Sequence, residues 1–221
     1  MSQAGEQLDA LQVGVLGGTG DQGRGLALRL ARAGVSVILG SRQAERAEAA
    51  AADLGYGIRG ADNATCAEQA SIVIAAVPYE GHAALLRDLT GPLVGKILVD
   101  CVNPLGFDEK GAHVIPVPEG SAAEQAAHIL PQSVIVGAFH NVSAVLLLDP
   151  AGSPVETDVL VLGDDRAATD RVQELVNLIP GMRGIYGGRL RNAAQVEALT
   201  ANLISINRRY KAHAGIRITD V

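Results

Sequence analysis

The chain is poor in cysteine: only Cys66 and Cys101 are present, without the short ligand spacing of a metal site. Residues 1–11 are polar and acidic and lack the basic-then-apolar order of a signal peptide, so they read as a short disordered lead. The thiols are therefore expected to be free, in a reducing compartment, the cytoplasm. No apolar run approaches the roughly 20 residues of a bilayer span, so no membrane association is expected. Cations are also short, with 18 Lys and Arg against 24 Asp and Glu for a net charge of −6, which argues against a nucleic-acid partner. Disorder is not expected, because 48% of the residues are hydrophobic and 221 residues can bury a good core.

What the chain has is concentrated in residues 12–46. Residues 12–16 form a short apolar run with β-branched residues and read as a strand. The glycine loop Gly18-Thr19-Gly20-Asp21-Gln22-Gly23 follows at once. Leu26, Ala27, Leu30 and Ala33 then fall on helical spacing, Gly34 stops the helix, and residues 35–39 form a second strand. This is a dinucleotide-binding fingerprint in its proper setting. In this reading Gly18 permits the tight turn and Gly20 lets backbone approach a pyrophosphate. Gly23 lets helix and strand pack closely.

The end of the second strand bears on which dinucleotide. An NAD site places Asp or Glu there to hold a ribose hydroxyl. Here Ser41 and Arg42 stand at that place with Arg46 one turn on. Serine and two guanidiniums suit the 2′-phosphate of NADP, which Arg grips with paired hydrogen bonds. The plain alternative is a solvated helix start, where cations oppose the helix dipole.

Strand and helix keep alternating downstream. Helices are expected near Ala44–Leu54 and over 64–70, 80–89 and 166–178; residues 142–148 are a further helical candidate. Ser121 and Glu124 form a capping box that opens another helix. Strands are expected at 71–77, 96–99, 133–139, 158–162 and 182–186, with 56–61 ambiguous and 103–106 a loop. The last helix, 192–210, carries Val196, Leu199, Leu203, Ile206 and Tyr210 on a narrow apolar stripe. The pattern implies an α/β fold, a Rossmann-type doubly wound parallel sheet over 12–140 with a smaller α/β domain over 141–221.

Three clusters follow predicted strands and so reach the edge where open α/β sheets bind ligands. They are Val77-Pro78 with His82, Asn103-Pro104, and His140-Asn141 with Ala144. His82 reads equally as an ordinary helix-face histidine, and His140 as a backbone-bonded turn histidine or a functional one. Cys101 reads as a packed thiol. The lysines, Lys96, Lys110 and Lys211, leave no Tyr-x-x-x-Lys pair and no lysine between Gly111 and Tyr210. The acids that short-chain and β-hydroxyacid dehydrogenases use are thus missing. The site reads as one that aligns two redox partners, a task met mainly by proximity and orientation.

GVLGGTGDQGRGLALRLARAG, VILGSRQAERAE, AAVPYEGHA, KILVDCVNP, FHNVSA and the C-terminal HAGIRI together resemble the F420H2:NADP oxidoreductases, or NADPH-dependent F420 reductases. The resemblance implies a Rossmann domain with a smaller C-terminal domain, a homodimer, and reversible hydride transfer between NADP(H) and coenzyme F420, a 5-deazaflavin. It implies that Thr19, Gly20, Asp21 and Gln22 line the pyrophosphate, and that Ser41, Arg42 and Arg46 hold the 2′-phosphate. Val77, the Gly81–His82 region, Asn103 and Ala144 would flank the nicotinamide, and Pro104, His140 and Ala214 the deazaflavin. The segment Pro78-Tyr79-Glu80-Gly81-His82 has one residue more than the family's Pro-Trp-Glu-His pattern, and the chain runs on through residues 218–221. Two other readings of the residues stay open: a small NADPH-dependent imine or carbonyl reductase with His140 as acid, and a non-catalytic NADP-binding sensor.

Overall fold

Alternating apolar strands and helices assemble into one eight-stranded sheet. A computed structural model describes residues 11–221; the lead expected over 1–11 lies outside the described residues except for Leu11, which is buried. The strands are β1 (Gln12–Leu16), β2 (Ser36–Ser41), β3 (Arg59–Asp62), β4 (Ile72–Ala75), β5 (Ile97–Asp100), β6 (Leu105–Asp108), β7 (Gly111–Val114), β8 (Val134–Gly137), β9 (Thr157–Gly163) and β10 (Met182–Gly188). The helices are α1 (Asp21–Arg32), α2 (Ala44–Leu54), α3 (Asn63–Gln69), α4 (Tyr79–Asp88), α5 (Ala122–Ile129), α6 (Ala144–Leu147), α7 (Arg166–Asn177) and α8 (Ala193–Tyr210).

The large sheet runs β10-β9-β8-β5-β4-β1-β2-β3. From β3 to β8 every neighbouring pair is parallel. Strand order reverses beside β1, whose neighbours are β2 and β4, and this makes the crevice where such sheets take ligands. The segment 141–221, expected as a smaller α/β unit, adds β9, α7 and β10 to the same sheet and then α8. β9 is antiparallel to β8, with Gly137 opposite Leu162, and β10 is parallel to β9. The reason is the connection. After β8 the chain returns over the C-terminal edge through α6 and enters β9 from there, without the crossover helix that a parallel return needs.

Side chains alternate across the sheet and build a core on each face. Val13, Val15, Val37, Leu39, Ile74, Val99 and Val136 belong to one apolar cluster, while Leu16, Ile38, Val73, Leu98 and Ile135 belong to the other. Ser121 caps α5, with its hydroxyl accepting from the Glu124 N–H at 3.0 Å as the capping box requires. The stretch read as a loop opens into the β6–β7 hairpin. Its turn is closed by Asp108, whose carboxylate accepts from Lys110 and Gly111; a four-residue strand pair is too short to announce itself by alternation.

One buried cation fixes α6 against α1. Arg29 is 2% exposed, and its guanidinium donates to the carbonyls of Leu146, Leu147 and Ser153. Gly25 lies directly beneath Leu147, where any Cβ would crowd that side chain. The last carbonyls of a one-turn helix are poorly satisfied: Leu146 accepts only a long bond from the Asp149 N–H, at 3.4 Å, and Arg29 supplies charged donors to Leu146 and Leu147. Arg29→Met should cost about 3 kcal/mol of stability, because it strands buried carbonyls; urea unfolding checks this, and a loss under about 1 kcal/mol contradicts the role.

Candidate functional site

The β1–α1 loop is shaped by glycines whose duties differ from the expected ones at one position. Gly17 makes the left-handed turn, at φ +73°, and a Cβ there would strike the Ala76 carbonyl. The sequence reading gave this turn to Gly18. Gly18 is instead pressed against Leu39, and its N–H bonds the Gly40 carbonyl at 3.1 Å. A Cβ at Gly23 would stand 2.7 Å from the Gly17 carbonyl, so α1 can approach the loop only with glycine there. Gly20 differs: its nearest neighbour to a built Cβ is 3.5 Å away. The chain itself leaves room for a side chain at Gly20, so packing within the chain does not require glycine there. No side chain caps α1 at Gly20, so first-turn N–H groups beside Asp21 and Gln22 are free to meet an anion.

Beside this loop β2 ends in Ser41, which is buried and accepts from the Gln43 N–H at 3.4 Å. Arg42 and Arg46 are exposed at the start of α2. Among the described residues neither forms a salt bridge. A cleft lined by Thr19, Arg24, Arg46 and Asp53 separates loop and helix. Two cations at a helix N-terminus, next to an anion-ready loop, form a fitting place for a further phosphate.

The other clusters gather at the same edge. Val77 adjoins Gly17, whose built Cβ would fall 2.7 Å from it, and exposed Pro78 begins α4. The Asn103 amide donates to the His140 carbonyl at 2.9 Å, and the Thr200 hydroxyl of α8 donates to the same oxygen at 3.0 Å. Pro104 is buried, and its carbonyl accepts from Ile115 at 2.8 Å. Asn141 donates to Val196 and Thr200. Ala144 opens α6, half-buried against α1. Ala214 follows α8, and its N–H donates to Asn207 at 2.6 Å.

Between these clusters the backbone is strained. Phe139 is fully packed yet sits at φ +63°, a conformation uncommon for a bulky residue. It turns the chain so that His140 folds back over Gly137, with Nε2 3.1 Å from where a Cβ would lie. His140 is 4% exposed and neither ring nitrogen has a hydrogen-bond partner. Burial pushes its pKa down to about 4, against the pull of the Asp100 charge, so the ring is neutral at neutral pH.

His82 is placed differently from the expectation that it holds cofactor. It is fully buried, with Nε2 2.6 Å from Asp100 and Nδ1 3.2 Å from Gln125, so both ring nitrogens are already engaged within the chain. Burial opposes its charge, but the neighbouring Asp100 carboxylate outweighs this and raises its pKa. Asp100 also accepts from the Val102 N–H at 3.0 Å and so fixes the start of the loop that carries Asn103 and Pro104. Glu197 on α8 completes the buried polar group. It accepts from Ala122 and Ala123 at the start of α5, and burial pushes its pKa up to about 7. The sequence reading missed Asp100, Gln125 and Glu197. The signal available was a carboxylate ending the apolar run Ile97–Asp100, since buried acids need partners.

The cysteines are inert by placement. Burial raises both thiols, Cys66 to about 12, and Cys101 donates to the Ala75 carbonyl at 2.9 Å. No described helix is long and apolar enough to cross a membrane.

The loop geometry generates a paired test. Gly20→Val should fold with an unchanged thermal midpoint yet lose NADPH binding, because the added side chain occupies only the space in front of the loop. Arg42→Ala should weaken NADPH by about 2 kcal/mol while leaving NADH nearly unchanged. Calorimetric titration of both cofactors decides: normal NADPH binding by the valine variant, or equal losses for the two cofactors by the alanine variant, overturns the assignment.

Residues 12–104 match the family described as NADP oxidoreductase coenzyme F420-dependent. The chain is 42% identical to the F420-dependent NADP reductase of Methanothermobacter marburgensis, over 96% of this chain and 99% of that one. It is 39% identical to the F420-dependent NADP reductase of Methanocaldococcus jannaschii over the same shares. A solved Arthrobacter sp. FB24 structure, described as an F420-dependent NADP-reductase, superposes with a TM-score of 0.82 at 28% identity, covering 95% of this chain and 100% of that one. With nearly full-length identity of this order, and with the glycine loop, Ser41 and Arg42 in place, the chain belongs to the F420-dependent NADP reductase family.

Proposed function

We propose that this enzyme exchanges hydride between NADP(H) and coenzyme F420 at the C-terminal edge of the sheet, where the glycine loop, Asn103 and His140 meet. The observation that carries the placement is the tie from Asn103 to the His140 carbonyl, which brings the β5 and β8 loops together beside the β1–α1 loop. Thr19, Gly20, Asp21 and Gln22 hold the pyrophosphate, and Ser41, Arg42 and Arg46 the 2′-phosphate. Val77, Pro78, Asn103 and Ala144 flank the nicotinamide; Pro104, His140 and Ala214 face the deazaflavin. His82 acts through Asp100, by setting the Asn103–Pro104 loop, and touches neither ring system.

The chemistry of the bound pair is direct hydride transfer between nicotinamide C4 and deazaflavin C5. The protein's part is to align those carbons about 3–3.5 Å apart in a shielded crevice. His140 stays neutral in its buried position, so it serves as an N–H donor toward charge that develops on the acceptor and not as a cationic acid. This needs no Tyr/Lys acid pair and no cationic histidine, whereas the imine or carbonyl reductase reading needs His140 as its acid.

The dimer reading rests on α8. Its stripe is buried at Val196 and Leu203, but Ile206 is 40% and Tyr210 73% exposed, and Phe107 and Val114 of the neighbouring hairpin are exposed as well. A second copy of the chain covers this apolar face. Sedimentation velocity should give a dimer that Ile206→Glu converts to monomer; a monomeric parent protein at micromolar concentration refutes this. The buried free thiols fit a cytoplasmic setting.

NADPH deuterated at C4 should deliver its label to F420 C5 without exchange into water. His140→Ala should slow turnover by about 10- to 100-fold, less than the loss expected for an indispensable proton donor. Label washing into solvent, or an inactive yet folded Cys101→Ser variant, rules the mechanism out.

A further inference from the structure

The chain past α8 is fastened in an unusual way. Lys211 ends α8 in the left-handed conformation, and the segment then crosses the start of β9. The Asp158 N–H donates to the Ile216 carbonyl at 2.7 Å, and the Ile216 N–H donates to the Thr157 hydroxyl at 3.1 Å. Gly215 is pressed onto Thr157 so closely that no Cβ fits between them. Few apolar groups hold this segment; Ile216 and Ile218 are only half-buried and the residues between and beyond them are exposed.

A single carboxylate carries the fastening. The Asp158 side chain is fully buried. One oxygen accepts from Arg183 Nε at 2.7 Å and from Arg217 at 2.8 Å; the other accepts from Arg183 at 2.6 Å and from the Ile218 N–H at 2.7 Å. Four donors saturate its acceptor capacity, and the Arg183 contact is the paired geometry that gives direction as well as strength. Arg183 also binds the Ile218 and Val221 carbonyls, and Arg217 pairs with Glu156. The hydrogen bonds from Arg183 hold the Asp158 carboxyl well below the usual carboxylate range, so it is charged at neutral pH. Because β9 runs antiparallel to β8, its first residues lie at the same sheet edge as the ends of the parallel strands. The clamp therefore sits at the ligand edge, adjoining Ala214.

We propose that Asp158 is a positioning residue for the second cofactor: with Arg183 and Arg217 it holds the 214–218 segment as a wall of the deazaflavin site. The proposal rests on the reading that Ala214 faces F420. A wall fixed by polar contacts is set in place without belonging to either apolar core, so loosening it changes the F420 site and leaves the NADP site and the fold intact. Asp158→Asn keeps the shape and removes the charge that pairs both guanidiniums. Arg217→Met frees the segment from its own end and leaves Asp158 paired with Arg183.

Steady-state kinetics on the full chain test this, with NADPH affinity measured separately by fluorescence titration. Each variant should raise the KM for F420 about tenfold, with kcat and the NADPH Kd within about twofold of the parent. The double variant should add little to either single one, since both break one clamp. Should Asp158→Asn fail to fold, Arg217→Met decides alone. An unchanged F420 KM, an equal loosening of NADPH, or fully additive effects overturns the proposal. A parent enzyme that does not reduce F420 at all would instead overturn the reading of the activity.

Discussion

The contact between α1 and the β1 loop is the constraint on which the site depends. Gly23 sits against Gly17 and Gly18 with no room for a single carbon, and Gly17 turns back under the Ala76 carbonyl. This brings the positive end of α1 to the edge of the sheet at the point where strand order reverses. Leu39 and Gly40 close the loop from the β2 side, and Val77 borders it from β4. The anion-ready surface is therefore a product of backbone proximity, with Ser41, Arg42 and Arg46 at its rim.

A second layer of organisation is polar and buried. Arg29 ties α6 to α1 through three carbonyls, and Asp100 ties His82 to the loop at Val102. Glu197 ties α8 to the start of α5. Groups of this kind cost desolvation, and apolar side chains of equal volume pack about as stably. What they supply is direction: each joins elements that apolar packing alone would let slide. Their placement around the Asn103 and His140 loops matches a reaction whose rate depends on alignment.

His82 and His140 show how far residue type alone misleads. Both are histidines near strand ends, and both are buried. His82 has two partners and a raised pKa, which makes it a structural link; His140 has none and a lowered one, which leaves its ring available. The difference comes from neighbours far away in the chain. Asp100 and Gln125 reach His82 from β5 and α5, whereas Phe139 folds His140 over Gly137, where neither ring nitrogen has a hydrogen-bond partner.

The sequence by itself determined whatever depends on neighbours a few residues apart. The glycine spacing, the helix that follows it, Ser41 and Arg42 in place of a carboxylate, and the Ser121–Glu124 cap are all local and were legible. So was the alternation of elements that requires a mostly parallel sheet. Tertiary structure alone decided that Gly17 takes the turn, that β9 runs against β8, and that Asp158 gathers two guanidiniums from 25 and 59 residues away. These features rest on contacts between distant segments, where a residue's chemistry is set by which partners folding delivers. Local periodicity records which face of an element is apolar; it carries no record of what that face, or a charge at its end, will meet.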